Sequence, residues 1–438
     1  MFYCIGGIGL IISFVHNDDD SYKAENENLR INYNSSKQFR YTFWQHNYNF
    51  DRWFSNTGID LLYISFSIFI ADRLCKRYLA ADNWSRNIEL HIPVLEYSVW
   101  NDQKILLQKT LDFLSGDHWK ICFRAREKSE IEQQSENKWN KRKKDEVLPD
   151  ISLVAMLSGG MDSLIGAIDI LESGRKDVLF ISHYGGGKGT KEFQDKVIES
   201  LKLRYGLLDG NFLQFHASVV DGVEDTTRTR SFMFFSHAIV LSSVFESCNE
   251  MIIPENGFIS LNIPLTYSRI GTSSTRTTHP YYMKLLGDLL EKVGIGLKIH
   301  NPYQFKTKGE MLQECKNQHI LAENISNTMS CSHPDVGRHR GEKEAMHCGY
   351  CLPCTVRQAA LKKASIHDSS KYYDREYKLG DEAKMCLNSY LQGLEIFDSD
   401  EIFMKIQMNG PIKDHIIEFA SLYEHGVDEI SNYLEEFK

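Results

Sequence analysis

The stretch Val154-Ala155-Met156-Leu157-Ser158-Gly159-Gly160-Met161-Asp162-Ser163-Leu164-Ile165-Gly166-Ala167-Ile168 decides the fold. Residues 151–157 read as a short apolar strand of the buried kind, and a helical pattern opens directly behind the glycines. A glycine pair between strand and helix lets the backbone approach an anion closely, and the helix N-terminus turns free N–H groups and the positive dipole end toward it. Ser158 and Ser163 add hydroxyls, and Asp162 can either hold a metal ion or cap the helix. Met161 lies inside the same turn. The turn suits phosphate, but it lacks the Lys-Ser/Thr ending of the nucleoside-triphosphate P-loop, which argues against conventional kinase or ATPase chemistry.

Working outward, 149–363 alternates strand and helix. Strands are expected at 151–157, 178–182 and 251–253, with helices at 162–173, 191–205 and 231–247. That order predicts an α/β fold with a doubly wound parallel sheet and a site at the strand C-termini. Residues 1–124 read as a separate N-terminal α/β unit, with a helix at 58–78, a strand at 88–94, a helix at 103–114 and a strand at 119–124. Residues 125–148 are polar and charge-mixed and read as a charged linker or exposed loop. Residues 364–438 read as a helical C-terminal extension, with helices at 381–397 and 412–437.

The 438 residues carry 42% hydrophobic and 25% charged side chains and a formal net charge of −9. This balance is ordinary for a globular chain of about two or three domains. It argues against a bulk electrostatic grip on nucleic acid. The uncharged start, 1–15, is too short to span a bilayer and lacks a basic flank, so a cytoplasmic protein is expected.

Cys331, Cys348, Cys351 and Cys354, the last three in C-G-Y-C-L-P-C, are spaced to converge on one tetrahedral zinc. With all positions filled by protein, that zinc is structural. An iron–sulfur cluster is the rival reading, and His333, His339 and His347 lie close enough in sequence to replace a sulfur. The remaining cysteines are scattered, which does not suggest a disulfide framework.

The S-G-G-M-D-S turn resembles the PP-loop of N-type ATP pyrophosphatases, which bind the pyrophosphate portion of ATP while a substrate oxygen attacks the α-phosphorus. The PP-loop, then T-M-S-C, then C-G-Y-C-L-P-C-T-V-R narrows the resemblance to the QueC-type 7-cyano-7-deazaguanine synthases, over roughly 149–363. It implies ATP and Mg²⁺, with the ion bridging Asp162 and the phosphates, and a structural Zn²⁺ on the four cysteines of an element at 331–354. Ser158, Gly159, Gly160, Asp162 and Ser163 match the phosphate loop, and Arg357 matches an arginine behind the zinc ligands.

The sequence also departs from that family. Where the family has a Tyr-Gly-Gln-x-His run stands His183-Tyr184-Gly185-Gly186-Gly187-Lys188. His183, Tyr184 and Lys188 are candidate ATP contacts, beside the plain alternative of a mobile loop. Arg228 and Arg230 sit where the family carries an arginine near the nucleotide, with a surface ion pair as the alternative. The substrate segment is replaced by 254–280, in which Glu255, Asn256 and Asn262 offer a purine-like edge donors and acceptors. Arg269 and Arg276 are placed to clamp a carboxylate, and Arg276 is also a candidate catalytic residue with Asp162 and Ser163. These departures and the N-terminal unit are similar to QueC-like proteins of bacterial anti-phage operons, such as the QatC component of the Qat system. That resemblance implies adenylation of 7-carboxy-7-deazaguanine, then amide formation with an amine on a partner protein from the same operon. The alternatives are free 7-cyano-7-deazaguanine synthesis and a non-catalytic ATP-binding scaffold.

Overall fold

The structure, a computed structural model, describes residues 9–438 apart from 47, 49, 51, 143–149, 186–187, 227 and 266–275, and apart from the side chains of 188, 189, 339 and 340. Among the described residues, ten strands form two sheets. The first contains β1 (Leu10–Val15), β2 (Leu29–Asn32), β4 (Asn87–Val94) and β5 (His118–Ala125), all parallel, in the order β2-β1-β4-β5. The second contains β3 (Phe39–Tyr41), β6 (Leu153–Met156), β7 (Val178–Tyr184), β8 (Phe212–Val219), β9 (Glu250–Ile252) and β10 (Lys298–His300), in the order β10-β9-β6-β7-β8-β3.

Residues 153–300 give the second sheet its parallel strands, alternating with helices Met161–Glu172, Lys188–Tyr205, Arg230–Ser242 and Pro280–Lys292. The sheet is the expected doubly wound α/β architecture. Its strand order reverses at β6, which pairs with β7 on one side and β9 on the other. A crevice therefore opens between the loops leaving β6 and β9, the place where such sheets bind ligands.

The N-terminal unit is stitched into this sheet. β3 adds antiparallel to the edge strand β8, pairing Arg40 with Ser218. The helix Asn56–Leu74 is buried on every side from Gly58 to Asp72, as expected for a helix apolar all round and covered on both flanks. It packs against β4 and against Arg230–Ser242. Asp72, inside this helix, accepts from the Thr229 N–H (2.9 Å) and hydroxyl (2.8 Å) and pairs with Arg86 (2.6 Å). A buried charge paired in this way fixes the helix to the segment that opens Arg230–Ser242.

The charged stretch expected as a linker contains a helix, Glu130–Asn140, closed at its start by a Ser129–Glu132 capping box. Its Trp139 packs on Trp53 and donates to the Phe50 carbonyl at 2.8 Å. The C-terminal extension is helical: Asp381–Glu395, Ile402–Asn409 and Ile416–Leu434. Among the described residues no helix is long and apolar enough to cross a membrane.

Candidate active site

The glycine turn leaves β6 at the point where the strand order reverses. Gly159 has φ +84°, a left-handed backbone that favours glycine. A Cβ there would lie 2.9 Å from Gln194 Cγ, so the turn also needs the missing side chain. Met329 N–H donates to the Gly159 carbonyl at 2.9 Å, tying the turn to the segment that leads into Cys331. Ser158 Oγ accepts from Gly160 N–H (3.3 Å) and donates to Ser163 Oγ (3.1 Å), and Ser163 donates to the Gly160 carbonyl (2.9 Å). No side chain caps the helix Met161–Glu172. Its first amides remain turned toward the crevice, as an anion site requires.

Across the reversal, Gly166 lets this helix close on β9. A Cβ at Gly166 would sit 2.3 Å from Pro254 Cγ. That approach delivers Glu255 and Asn256 to Asp162. Asn256 donates to Asp162 Oδ2 through its side chain (2.8 Å) and its backbone (3.2 Å). Lys308 donates to Asp162 Oδ1, and both side chains are largely buried. Glu255 accepts from the Thr278 hydroxyl, which also contacts Ser260 Oγ at 2.7 Å. Burial first, and the neighbouring Asp162 charge second, raise the Glu255 carboxyl from 4.5 to about 7, against the opposing pull of Thr278 and Lys308. A carboxyl tuned to neutrality in a crevice is suited to proton transfer.

Lys308, like Gln194, is a site residue that the sequence does not single out. It begins the helix Lys308–Glu314, whose start is set by a Thr307–Glu310 capping box. The C-terminal helix Ile416–Leu434 braces that start: Glu429 accepts from Thr307 Oγ1 and from Gly309 N–H (3.3 Å) and pairs with Lys363 (2.8 Å). The T-x-x-E capping signature at 307–310 was the only cue in the sequence, and it marks a helix start, not a site.

The other wall is the end of β7. His183 is buried, and among the described residues neither ring nitrogen has a hydrogen-bond partner. Burial, then the Arg230 charge, holds it well below the usual imidazole range, so it is neutral. Gln194 links this wall to the turn by donating to the carbonyls of Ser158 (3.1 Å) and His183 (3.0 Å), while its own Oε1 has no partner among the described residues. Unpaired buried polar atoms beside an uncapped helix N-terminus suit a bound ligand. Arg230 is exposed at the start of its helix, close enough to depress His183. Tyr184 lies under Lys191, whose ammonium is 5.6 Å from the ring centroid.

Two candidates face elsewhere. Arg228 stacks on Trp84 (4.1 Å to the ring centroid) and donates to the Ser115 carbonyl (3.1 Å). Arg276 stacks on Phe113 (4.6 Å) and donates to its carbonyl (2.8 Å). Both guanidiniums face the N-terminal unit, not the glycine turn, because flat cations find aromatic faces there. Asn262, at φ +53°, follows the short helix Gly257–Ser260 and donates its N–H to the Ile259 carbonyl at 3.0 Å. Arg269, Gly186, Gly187 and the Lys188 side chain lie outside the described residues.

The four predicted cysteines converge. All four sulfurs lie within 4.8 Å of one another, with Cys331–Cys351 and Cys348–Cys354 each at 3.9 Å. A zinc tetrahedron with sulfurs at about 2.3 Å needs sulfur–sulfur separations of about 3.8 Å. Backbone amides of His333 (3.2 Å) and Cys348 (3.1 Å) donate to Cys331 Sγ, and that of Cys351 (3.3 Å) to Cys348 Sγ, the outer-shell bonds a thiolate cluster calls for. The residues therefore fit a zinc ion, and no histidine is needed to complete the set. Arg357 is fully buried behind it and bonds to Thr328 Oγ1 (2.7 Å), the Ile325 carbonyl (2.8 Å) and Ser370 Oγ (2.9 Å). It knits the zinc element to the next segment.

Comparison with known proteins matches this geometry. The sequence model of the QueC family, queuosine biosynthesis protein QueC, matches residues 278–365. A 7-cyano-7-deazaguanine synthase of Prochlorococcus marinus (strain MIT 9303) is 27% identical over 244 residues, which are 50% of this chain and 97% of that relative. The chain is a QueC-like PP-loop protein. Shorter matches are to the 7-cyano-7-deazaguanine synthases of Rickettsia bellii (strain OSU 85-389) and Xanthomonas axonopodis pv. citri (strain 306). The first is 31% identical over 96 residues, 21% of this chain and 38% of the relative. The second is 29% identical over 92 residues, 20% of this chain and 37% of the relative.

The magnesium expected at Asp162 is not supported by the donor set. Asp162 Oδ2 is taken by Asn256 and Oδ1 by the Lys308 ammonium, so a cation already stands where the ion was expected.

Proposed function

We propose that this chain activates the carboxylate of 7-carboxy-7-deazaguanine with ATP and passes the acyl group to an amine. The observation that carries the reading is the uncapped glycine turn facing Asp162, Lys308, Asn256 and Glu255 across the strand-order reversal. The ATP phosphates bind on the amides and hydroxyls of 158–163. A carboxylate oxygen of the substrate attacks the α-phosphorus, the bond to the bridging oxygen breaks, and pyrophosphate leaves. Lys308, shared between Asp162 and the phosphates, offsets the growing negative charge, and positioning of the two reactants supplies most of the acceleration. Any magnesium arrives with the ATP phosphates.

The amine nitrogen then attacks the acyl carbon and AMP departs. Glu255, ionised at and above neutral pH, accepts the proton that the amine loses. The names of the relatives support the deazaguanine substrate. The amine is assigned to a protein partner encoded in the same anti-phage operon. The altered substrate segment and the N-terminal unit, whose β3 joins the catalytic sheet, support that assignment.

The test is pyrophosphate release from ATP with 7-carboxy-7-deazaguanine, with and without operon partners, followed by intact mass of every protein. Release with a mass gain on a partner supports conjugation. Release with only a small nitrile or amide product reassigns the chain to free synthesis. No release under any condition leaves a non-catalytic ATP-binding scaffold.

A further inference from the structure

The first sheet has one face under helices; on the other, the segment that carries Tyr22 and Ala24 covers β1, where Ser13 and Val15 are buried, and leaves β4 and β5 half-buried. Ile88, Leu90 and Ile92 of β4 and Trp119, Ile121 and Phe123 of β5 are buried on the covered face. Alternation then points Glu89, His91, Lys120, Cys122 and Arg124 to the other side. A solvated polar face would explain exposed lysines and glutamates. It does not explain a histidine with 13% and a glutamate with 22% of its side-chain surface exposed, gathered round a cysteine.

The register brings them together. His91 lies directly across from Cys122, and Glu89 lies two residues before His91 on the same face. Glu89 Oε1 is 2.9 Å from His91 Nε2 and 3.8 Å from Cys122 Sγ. The three ligand atoms all fall within 4.8 Å of one another. On its far side, His91 Nδ1 meets the Tyr22 hydroxyl at 2.7 Å. Tyr22 is held in place by Arg30, which donates to its carbonyl, and by the Arg124 guanidinium 4.6 Å from its ring centroid. With Nε2–H turned to the Glu89 carboxylate, the Tyr22 hydroxyl donates to Nδ1 and fixes the imidazole plane; an ion on Nε2 would move that proton to Nδ1, from which the same hydroxyl can accept.

We propose that Glu89, His91 and Cys122 form a second transition-metal site, on the half-buried polar face of the N-terminal sheet and separate from the four-cysteine cluster. One sulfur, one imidazole nitrogen and one carboxylate suit zinc rather than magnesium or calcium. Three protein ligands leave a fourth position for water or an incoming ligand, unlike the closed cysteine set. The thiolate and the carboxylate together neutralise the ion. Lys120, 68% exposed, competes for the carboxylate by pairing with Glu89 Oε2 at 3.0 Å.

The test is the zinc content of the full chain after equilibration with buffered zinc and removal of the free ion, measured by plasma emission. The wild type is expected to hold two equivalents, and Cys122→Ser and His91→Ala one each. Circular dichroism should be unchanged, because both side chains point away from the apolar core under the helices. As a gain-of-affinity control, Lys120→Ala is expected to tighten the second equivalent several-fold. A single equivalent in the wild type, or two that persist in Cys122→Ser, overturns the proposal.

Discussion

Glu255→Gln is the perturbation that most directly interrogates the site. In the folded chain this carboxyl titrates near 7 rather than 4.5, through burial and the adjacent Asp162. The folded state therefore holds its proton more tightly than the unfolded chain does. The stability that Glu255 contributes is full below the unfolded value of 4.5 and is lost as pH rises through about 7. A shift of that size corresponds to about 3 kcal/mol at alkaline pH, of which on the order of 2 kcal/mol falls between pH 5 and pH 8. Glutamine keeps an acceptor for the Thr278 hydroxyl and removes the charge. The variant should therefore gain about 2 kcal/mol on the wild type as pH is raised from 5 to 8. Urea unfolding of both proteins at several pH values reads this difference, and titrations elsewhere in the chain cancel in the comparison. A gap that stays constant across the range would show that Glu255 titrates normally and would refute its assignment as the neutral-range acid and base. The same variant should lose the limb near pH 7 from the profile of acyl transfer.

Other perturbations report on neighbouring parts. Lys308→Met strands the buried Asp162 charge and should cost about 3–5 kcal/mol of stability; adding Asp162→Asn should recover most of that in urea melts without restoring pyrophosphate release. Gly159→Ala forces a left-handed alanine against Gln194 and should abolish ATP binding in calorimetry, at a cost of about 1–3 kcal/mol in stability. Cys351→Ser should release the structural zinc and lower the melting temperature, detectable by metal content and calorimetry. Arg276→Ala removes the bond and stacking to Phe113 and should destabilise the N-terminal unit by about 1–2 kcal/mol, with pyrophosphate release largely retained. Complete loss of that release in a folded Arg276→Ala protein would return this residue to the catalytic set.

Local pattern carried much of this protein. The strand–glycine–helix run at 151–170 specifies its own geometry, because glycine conformational freedom and an apolar strand are properties of adjacent residues. The cysteine spacing likewise specifies a tetrahedral cluster, since two of the steps that close it are made within a single C-x-x-C-x-x-C run. The alternation of strands and helices from 149 onward was enough to place the crevice at the strand C-termini. Tertiary structure alone decided which charges meet in that crevice. Lys308 lies 146 residues from Asp162, and nothing near it in sequence distinguishes it from a surface lysine. Arg228 reads in the sequence as an ATP contact and Arg276 as a carboxylate clamp, yet they stack on Trp84 and Phe113, because the N-terminal unit brings aromatic faces to them. The same holds for β3, three residues with no marked pattern, which joins the catalytic sheet because β8 has an open edge beside it. Backbone form follows from neighbours in the chain, whereas the partner of a buried charge is chosen by whichever distant element packs there, since an ion removed from water is stable only where that packing supplies its counter-charge.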